Sequence, residues 1–449
     1  MCTCCYGMYT SLLAMYLDND IIIAGGGLAG LTAAIHLSKA GLKVTVVEKN
    51  SYPHHKVCGE YVSNEVVPYL KELGVYPSTL QPTQINKFQF SSTSGKLISA
   101  PLPLGGFGLS RYAFDHFLKQ KALEYGCRII QDTVLDIRFI GNDLIVRKRN
   151  NLNDLKSNDL NKQKKNDSND QNSNDLNKQK NSLKDYSSDY LKGCSRDYSK
   201  DKSNQFEVQT ARHGTFNCPV VIAAYGKRST LDNKLKRPFM KSPSPWLAVK
   251  AHYRGSFDDT LVALHHFRGG YCGVSMVEDN LINICYLTDY VTFKKHRSLE
   301  EFQQQVLFKN KHLRSIFENS TMEFEVPLSI GQISFQQKEA VTAHILMIGD
   351  AAGLIHPLCG NGMSMAIHSA KICAEQVIHY LDNEEVSRNE MEQAYSHLWK
   401  HHFKDRLYMG KLLAALLRKE KIADLMTASL AKFPFILPQL IKRTHGHQL

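Results

Sequence analysis

Apolar residues first run together at residues 20–24 (DIIIA), a pattern that predicts a short buried strand. Residues 28–40 (LAGLTAAIHLSKA) space them at helical intervals, and Gly41 follows where a helix C-cap is expected. The β-branched run 43–48 (KVTVVE) reads as a second strand. Strand, helix and strand in that order make one βαβ unit, and the chain is expected to be α/β. Further along, 113–126 (AFDHFLKQKALEYG) is an amphipathic helix closed by glycine. PVVIAAY (219–225) and HILMIG (344–349) read as buried strands, and a helix is expected at about 362–381. Residues 245–290 alternate polar and apolar in short runs, the mark of antiparallel strands.

Residues 143–149 and 206–210 read as two strands of a hairpin, with a different kind of sequence between them. The stretch 151–205 is rich in Asn, Asp, Lys and Ser, and SNDLNKQK at 157–164 recurs at 173–180. It holds too little apolar area to offset its ordering entropy, so a disordered, repeat-expanded insertion without catalytic role is expected. Joined with the family resemblance set out below, the order of patterns implies an extension at 1–17, a discontinuous cofactor-binding domain at 18–240 and 331–398 with 151–205 inserted, a substrate-domain sheet at 241–330 with part of 81–105, and a basic helical region at 399–449.

The 449 residues are 43% hydrophobic and 22% charged, a globular profile with enough apolar content for more than one core. No apolar run reaches the length of a membrane-spanning helix. The net charge of +12 raises nucleic acid as a partner, but no nucleic-acid motif accompanies it. Much of the excess sits at the end of the chain: ten Lys or Arg against three acids lie between Lys400 and Arg443, beside LLAALL and FPFILPQLI. Such a tail suits either packing on its own core or peripheral contact with an anionic membrane. Eleven cysteines, widely spread, make a poor disulfide framework, and a reducing, cytoplasmic compartment is expected. Cys2, Cys4 and Cys5 crowd the N-terminus without a basic segment before them. His pairs at 54–55, 265–266 and 401–402 lack metal-ligand spacing, and no metal is expected.

Chemistry concentrates at two glycine clusters. Gly25, Gly27 and Gly30 form G-x-G-x-x-G after a strand and at the opening of a helix. The first glycine allows the turn, the second lets a pyrophosphate approach, and the third lets helix and strand pack closely. The N–H groups of Leu28, Ala29 and Gly30 then face the phosphates. Glu48 ends the second strand, 21 residues after Gly27, where a carboxylate bonds ribose hydroxyls; Lys49 follows it. The second cluster is IGDAAGLIHPLCGNGM at 348–363, in which a strand ends at Gly349-Asp350 and Gly360-Asn361-Gly362 opens a helix.

Together these clusters resemble the FAD-dependent oxidoreductases of the para-hydroxybenzoate-hydroxylase structural group, especially the geranylgeranyl-reductase-like branch. The resemblance spans residue 18 to about 400, apart from 151–205. It implies a Rossmann-type FAD-binding domain with a second antiparallel β-sheet substrate domain and a C-terminal helical tail. By the same resemblance, Gly25, Gly27, Leu28, Ala29, Gly30, Glu48 and Lys49 hold the ADP half of FAD. Gly349 and Asp350 hold the ribityl chain, and Pro357, Gly360, Asn361, Gly362 and Met363 flank the ring. Arg111, in Leu109-Ser110-Arg111, resembles the family's phosphate-reaching arginine, and Lys56 opens the segment K-V-C-G-E that resembles one on the reductase branch. One motif departs: Tyr225, in Ala224-Tyr225-Gly226, stands where many hydroxylases of the group carry Asp, which weakens the case for binding NADPH their way.

The implied activity is reduction or desaturation of a C=C bond in a hydrophobic, isoprenoid or polyene-like substrate, with NAD(P)H or another reductant as donor. The alternatives are a monooxygenase acting on a lipophilic or aromatic substrate and a non-catalytic flavin electron-transfer protein. Cys58 is a candidate flavin-side thiol, and Glu60 and His356 are candidate proton donors. His265, His266, Phe267, Tyr271, Cys272 and Tyr286 are candidates for lining the substrate pocket.

Overall fold

The structure, a computed structural model, describes residues 19–140, 205–242, 244–433 and 435–449. Strand Ile21–Ala24 is fully apolar and buried, and it pairs in parallel with Val44–Glu48 on one side and Val220–Ala223 on the other. Arg128–Gln131 and Ile345–Met347 extend the sheet at its two sides, and the short Val341–Thr342 closes the second edge antiparallel. Continuous β-branched runs form these strands because both faces of a parallel sheet are covered. Helices Leu28–Lys39 and Gly362–Asp382 pack on each other beside this sheet, and Arg111–Glu124 packs on Leu28–Lys39.

A nine-stranded sheet stands against this unit. Its centre is the antiparallel run Trp246–Gly255, Ile282–Asp289, Gly270–Met276 and Leu261–Phe267. Thr83–Ser91 then joins in parallel beside Leu261–Phe267, and Leu97–Gly108 and Tyr61–Ser63 follow antiparallel. One face packs on the helices Leu299–Gln305 and Lys311–Glu318 through Phe267, Tyr286 and Phe302. The other turns Phe90, Ile98 and Leu264 toward the C-terminal helices Arg388–Leu417, Glu420–Lys432 and Ile436–Thr444.

The expected hairpin takes a different form. Gln205–Thr210 pairs with Val134–Ile140, and Thr215–Cys218 adds a third strand. Residues 143–149 and 151–204 lie outside the described residues. Ile140 and Gln205, the described residues on either side of 141–204, are directly paired. The helix expected at 113–126 begins at Arg111, because the Ser110 hydroxyl caps it by accepting from the Ala113 N–H at 3.0 Å. The long helix Arg388–Leu417 begins before the expected boundary at 399.

Candidate functional site

Gly25 has φ +111, and a Cβ there would lie 2.6 Å from the Ala224 carbonyl oxygen. A Cβ at Gly30 would fall 2.0 Å from the Gly25 carbonyl oxygen, so no side chain fits between turn and helix. The Leu28–Lys39 helix begins on Gly27 with no side-chain cap, which leaves its first N–H groups pointing outward without a protein acceptor. Two cations stand over that end: a Cβ at Gly27 would meet Arg111 Nη2 at 3.4 Å and Lys56 Nζ at 3.6 Å. Open backbone donors beneath two cations make an anion cradle, and an added Cβ would crowd it.

The carboxylate of Asp115 holds both cations, a role no pattern in the sequence announced. It accepts from Arg111 Nε at 2.8 Å and Nη2 at 2.7 Å, and from Lys56 Nζ at 2.9 Å. Burial works to raise its pKa, but Arg111 and Lys56 outweigh burial and the net shift is downward. Arg111 and Asp115 are one helical turn apart, so the pairing is built in once the helix forms.

Glu48 closes the other side of the turn. Its carboxylate accepts from the Gly26 N–H at 2.7 Å and the Asn50 N–H at 3.0 Å. The Tyr52 hydroxyl donates to the Gly26 carbonyl, and a Cβ at Gly26 would meet it at 2.0 Å. Lys49 is exposed past the strand end and does not join the group.

The second cluster lies against the first. Gly349 has φ +58, and a Cβ there would lie 3.0 Å from the Ala29 side chain. Its N–H donates to Ser369 Oγ at 2.8 Å, which ties the turn to helix Gly362–Asp382. The Asp350 carboxylate accepts no hydrogen bond among the described residues and sits within the field of Arg111 and Lys338. Lys338, also unforeseen, donates to the carbonyls of Asp350 and Lys227, each at 2.8 Å. Burial pulls its pKa down to about 8 against the pull of Asp350. Pro357, itself exposed, opens a helical turn that ends at Gly360, φ +63. Asn361 and Met363 are buried; Asn361 donates to the Thr444 carbonyl at 2.9 Å while its side-chain oxygen has no partner.

Glu60 is a buried anion rather than a proton donor. It accepts from Lys250 Nζ at 3.0 Å, from His252 Nε2 at 2.6 Å and from the Arg111 N–H at 2.9 Å. Burial favours its neutral form, but the His252 bond and Lys250 prevail, and its pKa falls below the ordinary value. It therefore carries no proton to give at neutral pH. His356 also lacks an acidic proton there: burial lowers it to about 4. Its Nδ1 accepts from the Leu358 N–H at 3.4 Å, so the remaining proton is on Nε2, which has no partner and lies among the rings of Trp246, Tyr271 and Phe335. Cys58 is a free, half-buried thiol whose sulfur accepts from the Glu60 N–H at 3.5 Å.

Beside this assembly, between the nine-stranded sheet and the C-terminal helices, lies a partly open space with an apolar lining. Phe88, Phe90, Ile98 and Leu264 form its floor, Leu417, Leu430 and Leu437 its roof, and Leu358, Cys359 and Gly360 one wall. The pocket candidates of the sequence mostly face elsewhere. Strand alternation turns Val262 and Leu264 into the space and sends Ala263, His265 and Phe267 to the far face. Cys272 and Tyr286 pack on that far face, Tyr271 boxes His356, and His266 bonds Thr93. No group of three His, Cys, Asp or Glu side chains among the described residues is placed to hold a metal.

Known proteins share this fold. The family model described as the FAD binding domain matches residues 18–389. Digeranylgeranylglycerophospholipid reductase 1 of Methanothermobacter thermautotrophicus is 30% identical over 130 residues, 27% of this chain and 32% of its own. The 1H-pyrrole-2-carbonyl-(peptidyl-carrier protein) chlorinase of Pseudomonas fluorescens is 22% identical over 403 residues, 83% of this chain and 78% of its own. The matched stretches of two further curated relatives span 46% and 31% of their lengths. Among solved structures, a geranylgeranyl bacteriochlorophyll reductase-like protein from Thermoplasma acidophilum superposes with a TM-score of 0.63 at 16% identity, covering 92% of this chain and 91% of that one.

Proposed function

From the premise that this chain belongs to the FAD binding domain family, a family of FAD-dependent oxidoreductases, we propose that it reduces or desaturates a C=C bond in a long apolar substrate of isoprenoid or polyene type. The observation that carries the reading is the apolar-lined space ending on Leu358, Cys359 and Gly360, the turn ahead of helix Gly362–Asp382. A chain of hydrocarbon lodged there desolvates without losing hydrogen bonds, whereas a charged substrate would find almost nothing to pair with. The similarity to a digeranylgeranylglycerophospholipid reductase supports the same substrate class.

The residues present fit FAD. Gly25, Gly27 and Gly30 clear the approach, and the N–H groups of Leu28–Gly30 with Lys56 and Arg111 would take the pyrophosphate. Glu48 would take the ribose, and the open carboxylate of Asp350 a hydroxyl of the ribityl chain. Bound there, FAD supplies the hydride equivalent that alkene reduction needs, or accepts one in the reverse direction. The chain's own residues position and shield: Asp115 fixes the two cations, Lys338 fixes the backbone at Asp350, and the roof helices keep water from the alkene. His356, neutral with its one proton on Nε2, packs among Trp246, Tyr271 and Phe335 and has no acidic proton to give.

A second reading, oxygen-dependent hydroxylation or halogenation, is favoured by the match to the chlorinase over most of both chains. One experiment separates the two. FAD-loaded protein, reduced anaerobically, is mixed with a geranylgeranyl lipid in chloride-containing buffer, with and without later admission of oxygen, and flavin absorbance and product mass are followed. Reoxidation without oxygen, with a product heavier by two hydrogens, supports alkene reduction. Reoxidation that requires oxygen, with a hydroxylated or halogenated product, rejects it.

A further inference from the structure

The three C-terminal helices that roof the apolar space have a second face. Five of the twelve most exposed large apolar side chains of the described residues lie on this short part of the chain: Tyr408, Leu412, Leu425, Phe433 and Phe435. Tyr408, Leu425 and Phe435 are each about two-thirds exposed, at 65%, 66% and 64%.

Helical spacing sets their direction. In Arg388–Leu417, Leu413 and Leu417 line the space, and Lys404, Tyr408, Lys411 and Ala415 fall on the opposite stripe. In Glu420–Lys432, Met426, Thr427 and Leu430 line it, and Lys421, Leu425 and Lys432 fall opposite. In Ile436–Thr444, Leu437, Leu440 and Ile441 line it, and Lys442 and Arg443 point away with Phe435 just before them. All three helices cover one space, so their outward stripes share one side of the molecule. That side alternates apolar and cationic groups. The acids of the region lie off it: Asp424 turns to accept from Ser94 Oγ at 2.8 Å, and Asp405 and Glu420 flank the stripes. The outward lysines and Arg443 form no ion pair among the described residues.

We infer that this outer helical face is a docking surface for an anionic lipid bilayer. Aromatic and leucine side chains enter the headgroup boundary, and the surrounding cations face lipid phosphates. Charge complementarity selects this occupant: a neutral apolar partner would leave the ring of unpaired cations without counterions. The inference rests on the surface alone and stands apart from the chemistry assigned to the space beneath.

Co-sedimentation of the full, FAD-loaded chain with vesicles tests it. Vesicles of phosphatidylcholine alone are compared with vesicles that also contain phosphatidylglycerol, at low and raised salt. Two double variants are run beside the parent, Lys421→Glu with Lys432→Glu, and Leu425→Ser with Phe435→Ser. Far-UV circular dichroism and the bound-flavin spectrum check that each is folded. The expected result is partition onto anionic vesicles roughly tenfold or more above neutral ones, weakened by salt and lost in both variants. Equal partition onto both vesicle types, no partition, or partition unchanged in the variants overturns the inference. So does a dimer in sedimentation velocity that only the Leu425→Ser, Phe435→Ser variant abolishes, since that would give the face to a second copy. Vesicle binding is read without turnover, so this result and the alkene-reduction assay fail independently.

Discussion

Gly349 rests against Ala29: a Cβ on the first would lie 3.0 Å from the Cβ of the second. Two turns 320 positions apart in the chain thus share one wall. Gly349 also has φ +58, where a side chain is strained. Gly349→Ala is expected to cost about 1–2 kcal/mol of stability and to weaken FAD binding. Thermal melts, with flavin retention through gel filtration, check both. Unchanged retention would separate this contact from the cofactor site.

Asp115→Asn keeps the shape of the side chain and removes the charge shared by Arg111 and Lys56. FAD affinity is expected to fall by about tenfold or more, as the two cations lose their fixed positions. Titration of apoprotein by flavin fluorescence reads this directly. Asp115→Glu, which restores charge at a different reach, should recover only part of the loss.

Glu60→Gln leaves Lys250 as a buried cation without its anion, at an expected cost of about 3–5 kcal/mol. The double variant Glu60→Gln, Lys250→Met should be more stable than Glu60→Gln alone. Denaturant midpoints of the four proteins complete the cycle, and simple additivity would show that the pair is not coupled.

Acid is expected to destabilise the fold before carboxylates titrate. Burial lowers His356 to about 4, and His265 and His368 to about 3. Each takes up its proton near pH 6.5 when unfolded, so the unfolded chain binds more protons below that pH. The stability these groups contribute is complete above about pH 6.5 and lost as pH falls toward 4 and 3. Denaturation midpoints at pH 7 and pH 5 should differ, and His356→Gln should reduce the difference.

Ile140 and Gln205 are paired across their strands. Replacing 141–204 by a two-residue Asn-Gly turn should therefore preserve the fold and its flavin. Loss of either, by circular dichroism or absorbance, would give the segment a structural role.

What the sequence showed were features written locally: glycines at fixed spacing, a strand-ending Glu48, an arginine at a helix start. Lys338 and Lys250 escaped it because their partners come from other elements, and nothing near Lys338 in sequence points to the Asp350 carbonyl; Asp115 pairs locally with Arg111, but only the fold brings Lys56 to the same carboxylate. The pocket residues were misassigned for a related reason. The pattern located strand Leu261–Phe267, but which of its two faces meets the roof depends on helices more than 120 residues later. Aromatic content favoured His265 and Phe267, while register placed Leu264 inside.

The parallel junction between Thr83–Ser91 and Leu261–Phe267 has a practical outcome for anyone dissecting the chain. A fragment cut at 241–330 would carry Leu261–Phe267 without its neighbour and present a bare, apolar-flanked edge to solvent. Such a piece is expected to clump when produced alone. Reassembly from co-expressed halves needs a break that keeps 83–108 with 246–289, and no continuous cut near residue 240 does so.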